Sequence, residues 1–296
     1  MSYAAVQQPL FETPLHQIIN VAAVRQLSPF RYPGGKTWLI PRIRQWLKHP
    51  PAEFIEPFAG GGIVSLTVAA ENLAEHVTMV ELDEQVAAVW QTIFTDNQAE
   101  WLVDRIVTFD LTLESLREEL ARSPHSKREM AFQTILKNRT FHGGILASGS
   151  APLKHGENGK GVKSRWYAET LKKRILTIAQ LRDRITVIHG DAFETIRQFA
   201  AHRAACFFID PPYSASGKGA GKRLYTHYQL DHQELFHLLA TVAGDVLMTY
   251  DDDASIRELA QTNGFEMKAV AMKNNHHAEM TELLIGRQLQ WLDAAG

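Results

Sequence analysis

Glu53-Phe54-Ile55-Glu56-Pro57-Phe58-Ala59-Gly60-Gly61-Gly62 reads as a strand that ends in a tight glycine turn, and Ile63 to Ala70 behind it reads as a helix. Glycine in such a turn lets backbone approach a ligand closely, as at dinucleotide sites. A second strand, Val77-Thr78-Met79-Val80, leads into Glu81-Leu82-Asp83. An acid at a second strand end, ~20 residues past the glycines, is the position that binds ribose hydroxyls. Strand, turn, helix, strand and acid together predict an α/β domain holding an adenosine-containing cofactor across Gly60, Glu81 and Asp83. Pyrophosphate turns avoid carboxylates, whereas Glu56 closes this first strand; a ligand with an ammonium or sulfonium suits it better than NAD. The alternative is a buried Glu56 paired with Lys36 or Arg31.

Upstream, Pro29-Phe30-Arg31-Tyr32-Pro33-Gly34-Gly35-Lys36-Thr37 precedes apolar residues at helical spacing, so a Gly-Gly turn opens a helix with Lys36 at its start. A helix N-terminus disfavours a cation, so an acid or a ligand carboxylate beside Lys36 explains it better than stability does; an exposed lysine is the plainer alternative. A phosphate loop would need a further upstream glycine, which is missing. Downstream, Ile185-Thr186-Val187-Ile188-His189 is a third strand ending at Asp191, which can accept from an adenine amino group, cap the next helix, or do both. Ala204-Ala205-Cys206-Phe207-Phe208-Ile209 is continuously apolar, as in a strand buried on both faces, and ends in Asp210-Pro211-Pro212-Tyr213. Proline holds Asp210 extended, so its carboxylate and the adjacent carbonyl form two fixed acceptors near an aromatic ring. That set suits a planar group bearing an NH2, though a plain strand-to-turn junction fits the tetrapeptide equally well. Residues 214–223 read as a basic flap with Lys222 and Arg223, and Phe265 to Met272 with Met280 to Ile285 as a closing antiparallel hairpin.

The 296 residues are 45% hydrophobic and 22% charged, with no apolar run long enough for a membrane span and no signal pattern, so the chain is expected in the cytoplasm. The single cysteine, Cys206, excludes an internal disulfide and reads as a buried, inert thiol; no Cys/His spacing fits zinc, so no metal is expected. Net charge is −2, but Arg122 to Arg174 holds twelve Lys or Arg against three acids, a stretch at +9 within a remainder at −11. Such asymmetry predicts a polyanion-binding insert. The expected organisation is an N-terminal extension over 1–28, a catalytic domain over 29–108 and 183–296, and the insert over 109–182.

In this order, Arg31 to Lys36, Phe54 to Gly62, Glu81 to Asp83, Asn138-Arg139 and Asp210 to Tyr213 resemble the motifs of Dam-type DNA adenine N6-methyltransferases, from Pro29 to Arg287. The family usually has Trp-Ala at Tyr32-Pro33 and Asp at Glu81. The resemblance implies a Rossmann-like sheet of the S-adenosylmethionine-dependent methyltransferases with an inserted, mainly helical target-recognition domain. It places S-adenosylmethionine against Tyr32, Lys36, Phe58, Glu81 and Asp191, with Asp210 facing both donor and target, S-adenosylhomocysteine as product and double-stranded DNA as partner; Gly35, Glu56, Gly60 and Asp83 are expected at the cofactor from their own places in the turns and strand ends. An adenine inside a duplex must be flipped out to reach a strand end. Tyr213 would stack it, Asp210 and the Pro211 carbonyl would hold its N6 hydrogens, and Pro212 would stiffen the motif. Lys137, Lys163, Lys222 and Arg223 are expected at the DNA, with Asn138, Arg139 and Arg165 as base readers. The reading asks that Asp210 face the Gly60 and Glu81 crevice and not be tied up in an internal ion pair. Competing expectations are methylation of cytosine N4 or RNA adenine, a DNA-binding subunit of a restriction or defence assembly with little turnover, and an oxidoreductase.

Overall fold

The computed structural model describes residues 24–31, 35–147, 149–156, 159–212, 230–273 and 279–293. Parallel strands β1 (Glu53–Glu56), β2 (His76–Glu81), β3 (Ile185–His189), β4 (Ala205–Ile209) and β5 (Asp245–Asp251) are joined by β6 (Glu266–Lys273) and β7 (Glu279–Gly286) in one mixed sheet. Its order is β3-β2-β1-β4-β5-β7-β6, with β7 antiparallel to both neighbours. The 6–7 hairpin is as the sequence predicts. Insertion of β7 between β5 and β6 is a non-local pairing that no short-range signal carries.

The central strands β1, β4, β5 and β7 are apolar on both faces because helices cover both. Phe54, Phe208, Leu247 and Leu284 point into one core, shared with α1 (Ile40–Trp46), α2 (Ile63–Ala70) and α3 (Glu84–Phe94). Their neighbours Ile55, Phe207, Val246 and Leu283 point into the other, shared with α8 (Ala192–Phe199), α9 (His232–Thr241) and α10 (Ala254–Thr262). Between α3 and α8 run α4 (Gln98–Thr108), α5 (Leu113–Ala121), α6 (Lys127–Thr140) and α7 (Ala168–Ala179). Leu102 of α4, Leu116 of α5, Phe132 of α6 and Leu171 of α7 all belong to the first core, so the basic insert packs onto the sheet layer through α3 and α4. No helix among the described residues is long and apolar enough to cross a membrane.

Strand order reverses between β1 and β4, and ligands of open α/β sheets bind in the crevice at such a point, beyond the carboxyl ends of the strands. The glycine turn follows β1 and Asp210 follows β4, so the two motifs meet there by topology. The turn is clamped from three sides. Ala59 N donates to Val80 O (3.0 Å), Ser28 Oγ to Gly61 O (2.5 Å) and Trp90 Nε1 to Gly60 O (3.0 Å). Phe30 packs edge-on against the same Trp90, so the described end of the N-terminal extension, from Val24 to Ser28, is docked against the turn together with Phe30.

Gly62 departs from expectation. Its φ is +63°, and a Cβ there would lie 2.7 Å from Met79 Cε and 3.0 Å from Trp90 Cζ2. Glycine is required at this position by the core beneath the turn as well as by its left-handed backbone. Gly62→Ala is therefore expected to cost about 2–4 kcal/mol, from the left-handed conformation and the overpacking together. Urea unfolding measures this, and a change under about 0.5 kcal/mol, the scatter of neutral surface substitutions, would refute it.

Candidate active site

The ends of three strands, β1, β2 and β4, supply the acids of the site. At β2, Glu81 is buried and binds backbone through both oxygens: Oε2 accepts from Gly60 N (2.9 Å) and Oε1 from Asp83 N (2.8 Å). It thereby fixes the glycine turn to the end of β2. Asp83 and Asp191, both expected at the cofactor, are helix caps. Asp83 Oδ1 accepts from Gln85 N and Val86 N at the start of α3, and Asp191 Oδ1 from Phe193 N and Glu194 N at the start of α8. Phe58 is half-buried against the second core.

At β1, Glu56 is buried, and its Oε2 accepts from Ser65 N (3.0 Å) and from the Ser65 hydroxyl of α2. Ser65 answers the question of its partner, which the sequence left between a ligand, Lys36 and Arg31. Burial, and then the charges of Asp210 and Glu81, push Glu56 up to about 8 against the pull of the Ser65 hydrogen bonds. Burial likewise pushes Glu81 up to about 7.

At β4, Asp210 Oδ1 lies 3.0 Å from Lys36 Nζ and accepts from Thr249 Oγ1 at 2.9 Å. The expectation that Asp210 would stand outside any ion pair, which the sequence reading set as its own condition, is thus overturned, and what keeps that reading open is the 22% exposure that leaves the paired carboxylate at the rim. The reason lies in the charges around it: Glu56 and Glu282 both feel the Asp210 carboxylate, and Lys36, 3% exposed at the start of a 3₁₀ turn (Lys36–Leu39), is the cation among them. The acid predicted beside Lys36 is therefore Asp210 itself. The Asp210 side chain keeps 22% exposure, and Pro211 behind it is buried. Cys206 of β4 is half-buried, and its thiol is pushed up to about 12 by burial.

Three neighbours of Asp210 went unread in the sequence: Thr249, Tyr250 and Glu282. Tyr250 Oη meets His232 Nδ1 at 3.0 Å, and burial raises the Tyr250 hydroxyl's proton affinity and lowers that of His232. An acid amid apolar residues, as in Thr281-Glu282-Leu283-Leu284-Ile285, was the available signal.

The insert contains the clearest corrections. Asn138, expected to read a base, is fully buried and welds the insert to the segment entering the Lys36 turn. Its Oδ1 accepts from Arg31 N (2.8 Å), and its Nδ2 donates to Arg31 O (3.0 Å) and Gly144 O (2.7 Å). Arg31 O comes so close to Gly144 that a Cβ there would be 2.3 Å away. Arg139, also expected to read a base, is 4% exposed and donates from Nε to Arg165 O (2.9 Å); burial, then Arg31 and Arg174, lower it to about 10. Lys137 donates to Leu146 O (2.6 Å) and lies over the Phe141 ring. Lys163 is exposed, with Asp110 3.9 Å away, and Arg165 is half-buried. Tyr32, Tyr213, Lys222 and Arg223 lie outside the described residues, and Gly35 is exposed beside Lys36.

The donor set suits a cationic adenosine ligand. Asp210 and Glu282 flank Lys36, Glu56 feels the charge of Asp210, and a sulfonium or ammonium arriving beside these acids favours their ionised forms. Glu81 and the positive-φ turn at Gly60 stand where a ribose would be held.

Residues 32–275 match the family model described as D12 class N6 adenine-specific DNA methyltransferase. The Type II methyltransferase M.MjaIII of Methanocaldococcus jannaschii is 22% identical over 240 residues, 72% of this chain and 78% of that protein. Among solved structures, the rRNA methyltransferase aviRa of Streptomyces viridochromogenes is similar over 90% of both chains, at 15% identity and a TM-score of 0.37. The precorrin 8W decarboxylase of Methanobacterium thermoautotrophicum is similar over 87% of this chain and 94% of its own, at 12% identity and a TM-score of 0.34. These two likenesses assign no residue a role.

Proposed function

The chain belongs to the D12 class N6 adenine-specific DNA methyltransferases, and from that premise we propose that it flips one adenine out of duplex DNA and holds its amine at the end of β4. Enzymes of this class transfer a methyl group to adenine in DNA, and S-adenosylmethionine is the donor that the sequence resemblance implies. The observation that carries the proposal is the place of Asp210: at the carboxyl end of β4, next to the β1 glycine turn, aimed by Lys36 and Thr249.

Bound S-adenosylmethionine supplies a methyl on a sulfonium, an excellent leaving group. The chain's own task is alignment. Asp210 and the Pro211 carbonyl accept the two N6 hydrogens, which draws the nitrogen toward tetrahedral geometry and turns its lone pair to the methyl. Tyr213 stacks on the base and offsets part of the unstacking cost of a few kcal/mol. Glu81 and the turn at Gly60 hold the ribose, with Phe58, Glu56, Lys36 and Tyr32 around the cofactor. Neither step asks the protein for a metal.

DNA affinity comes from the exposed lysines of the insert, among them Lys154, Lys160, Lys163 and Lys173, and from Arg165. Four phosphate contacts give a log–log salt slope of about −3.6, or about a hundredfold loss of affinity between 50 and 200 mM salt. Labelled S-adenosylmethionine with duplex DNA and with RNA, across that range, tests the reading. Transfer to DNA that fades steeply with salt is expected; transfer to RNA alone, or binding indifferent to salt, would contradict it.

A further inference from the structure

Glu282 is a buried acid that the reaction described above leaves unused. It sits on β7, on the face of the sheet that Leu284 shows to be covered by α1 to α3, and is 5% exposed. Its Oε2 lies 3.6 Å from Lys36 Nζ and has no hydrogen-bond partner, while Lys36 Nζ lies 3.0 Å from Asp210 Oδ1. Asp210, Lys36 and Glu282 thus form a file leading from the crevice rim into the protein. The remaining charge facing Glu282 is Asp251, its register partner on β5; Val270, its partner on β6, is apolar.

We propose that Glu282 is a positioning residue that stores the proton released by methyl transfer, receiving it from Asp210 by way of Lys36. The proposal rests on the adenine-methylating reading above. As the N6–CH3 bond forms and the S–CH3 bond breaks, N6 is left with one proton too many. With base and cofactor filling the crevice, water is excluded from the rim, and an internal acceptor replaces it. Asp210 takes the proton from N6. Lys36 gives one ammonium proton to Glu282 Oε2 and takes the one on Asp210. Asp210 and Lys36 end as they began, and Glu282 carries the proton until it is given to water before the next turnover.

The surroundings suit that task. Burial raises the Glu282 carboxyl, Lys36 opposes it, and Asp210 and Asp251 add to the rise, which brings it up to about 7. A proton acceptor works best with an affinity near the operating pH.

Glu282→Gln tests the proposal, with Glu282→Asp as the conservative control. Single-turnover methyl transfer by Glu282→Gln at neutral pH is expected to fall about a hundredfold, the low end for a positioned proton acceptor. The wild-type rate is expected to decline below pH 7, Glu282→Gln should lose that decline, and Glu282→Asp should restore most of both. The second readout needs neither cofactor nor DNA. A carboxyl raised from 4.5 to about 7 on folding stabilises the fold fully below pH 4.5, and that contribution is lost as pH rises through 7. The melting temperature of Glu282→Gln should therefore fall less than the wild type's between pH 5 and 8. An unchanged rate, a slower rate with the wild-type pH profile, or parallel melting curves would each overturn the proposal. A wild-type chain that methylates no nucleic acid would instead sink the activity, since the melting curves still report on Glu282.

Discussion

Asp210→Ala is expected to lower single-turnover methyl transfer by at least about a thousandfold while the dissociation constant for S-adenosylmethionine stays within about tenfold. Near-attack alignment can account for about 7–11 kcal/mol of a barrier, and preorganised polar groups are worth most inside a site closed to water. In the proposed arrangement Asp210 supplies one of the two acceptors for the N6 hydrogens, and Lys36 and Thr249 hold its carboxylate in place. The fold should survive. Lys36 keeps Glu282 3.6 Å away, so no buried cation is orphaned, and the change removes one acid from a group of like charges around Glu56 and Glu282. Rapid-quench transfer and calorimetric titration of the cofactor measure the two quantities separately. Undiminished transfer would remove Asp210 from the chemistry.

Glu81→Ala should fail at the other step. The wild-type carboxylate accepts from Gly60 N and Asp83 N, so truncation strands two buried amides and releases the glycine turn from β2. Each stranded amide costs about 1–3 kcal/mol. Cofactor affinity is expected to fall about a hundredfold, equivalent to about 2.7 kcal/mol, from the lost ribose contact and the loosened turn. Transfer at saturating cofactor should be reduced much less, since Asp210 and Pro211 are untouched. Equilibrium titration with S-adenosylmethionine decides this, and an unchanged dissociation constant would show that Glu81 serves only the fold.

What could be read from the sequence were features whose signal is local. A glycine turn between an apolar run and a helix, an acid at the next strand end, and Asp-Pro-Pro after a run buried on both faces all report on adjacent residues, and the β1/β4 switch point brings them together. Asp83 and Asp191 show the limit of that logic. An acid after a strand and before a helix looks the same whether it meets a ligand or caps the helix, and both cap. Glu282 reaches Lys36 only because β7 slots between β5 and β6, a pairing set by the whole sheet. Asn138 and Arg139 carried a chemistry suited to base edges, but the packing of α6 against α3 turned them inward, Asn138 onto Arg31 and Arg139 onto the Arg165 carbonyl. On the proposed reading, reach toward DNA in the insert belongs to exposed lysines that no motif marks, such as Lys160 and Lys173.

Digesting DNA from cells that express the wild-type chain or Asp210→Ala, and analysing the nucleosides by mass spectrometry, tests the gripping of an extruded adenine amine at the end of β4. N6-methyladenine with the wild type and none above background with Asp210→Ala is the predicted result. N4-methylcytosine in its place, or N6-methyladenine at equal levels from both chains, would contradict it.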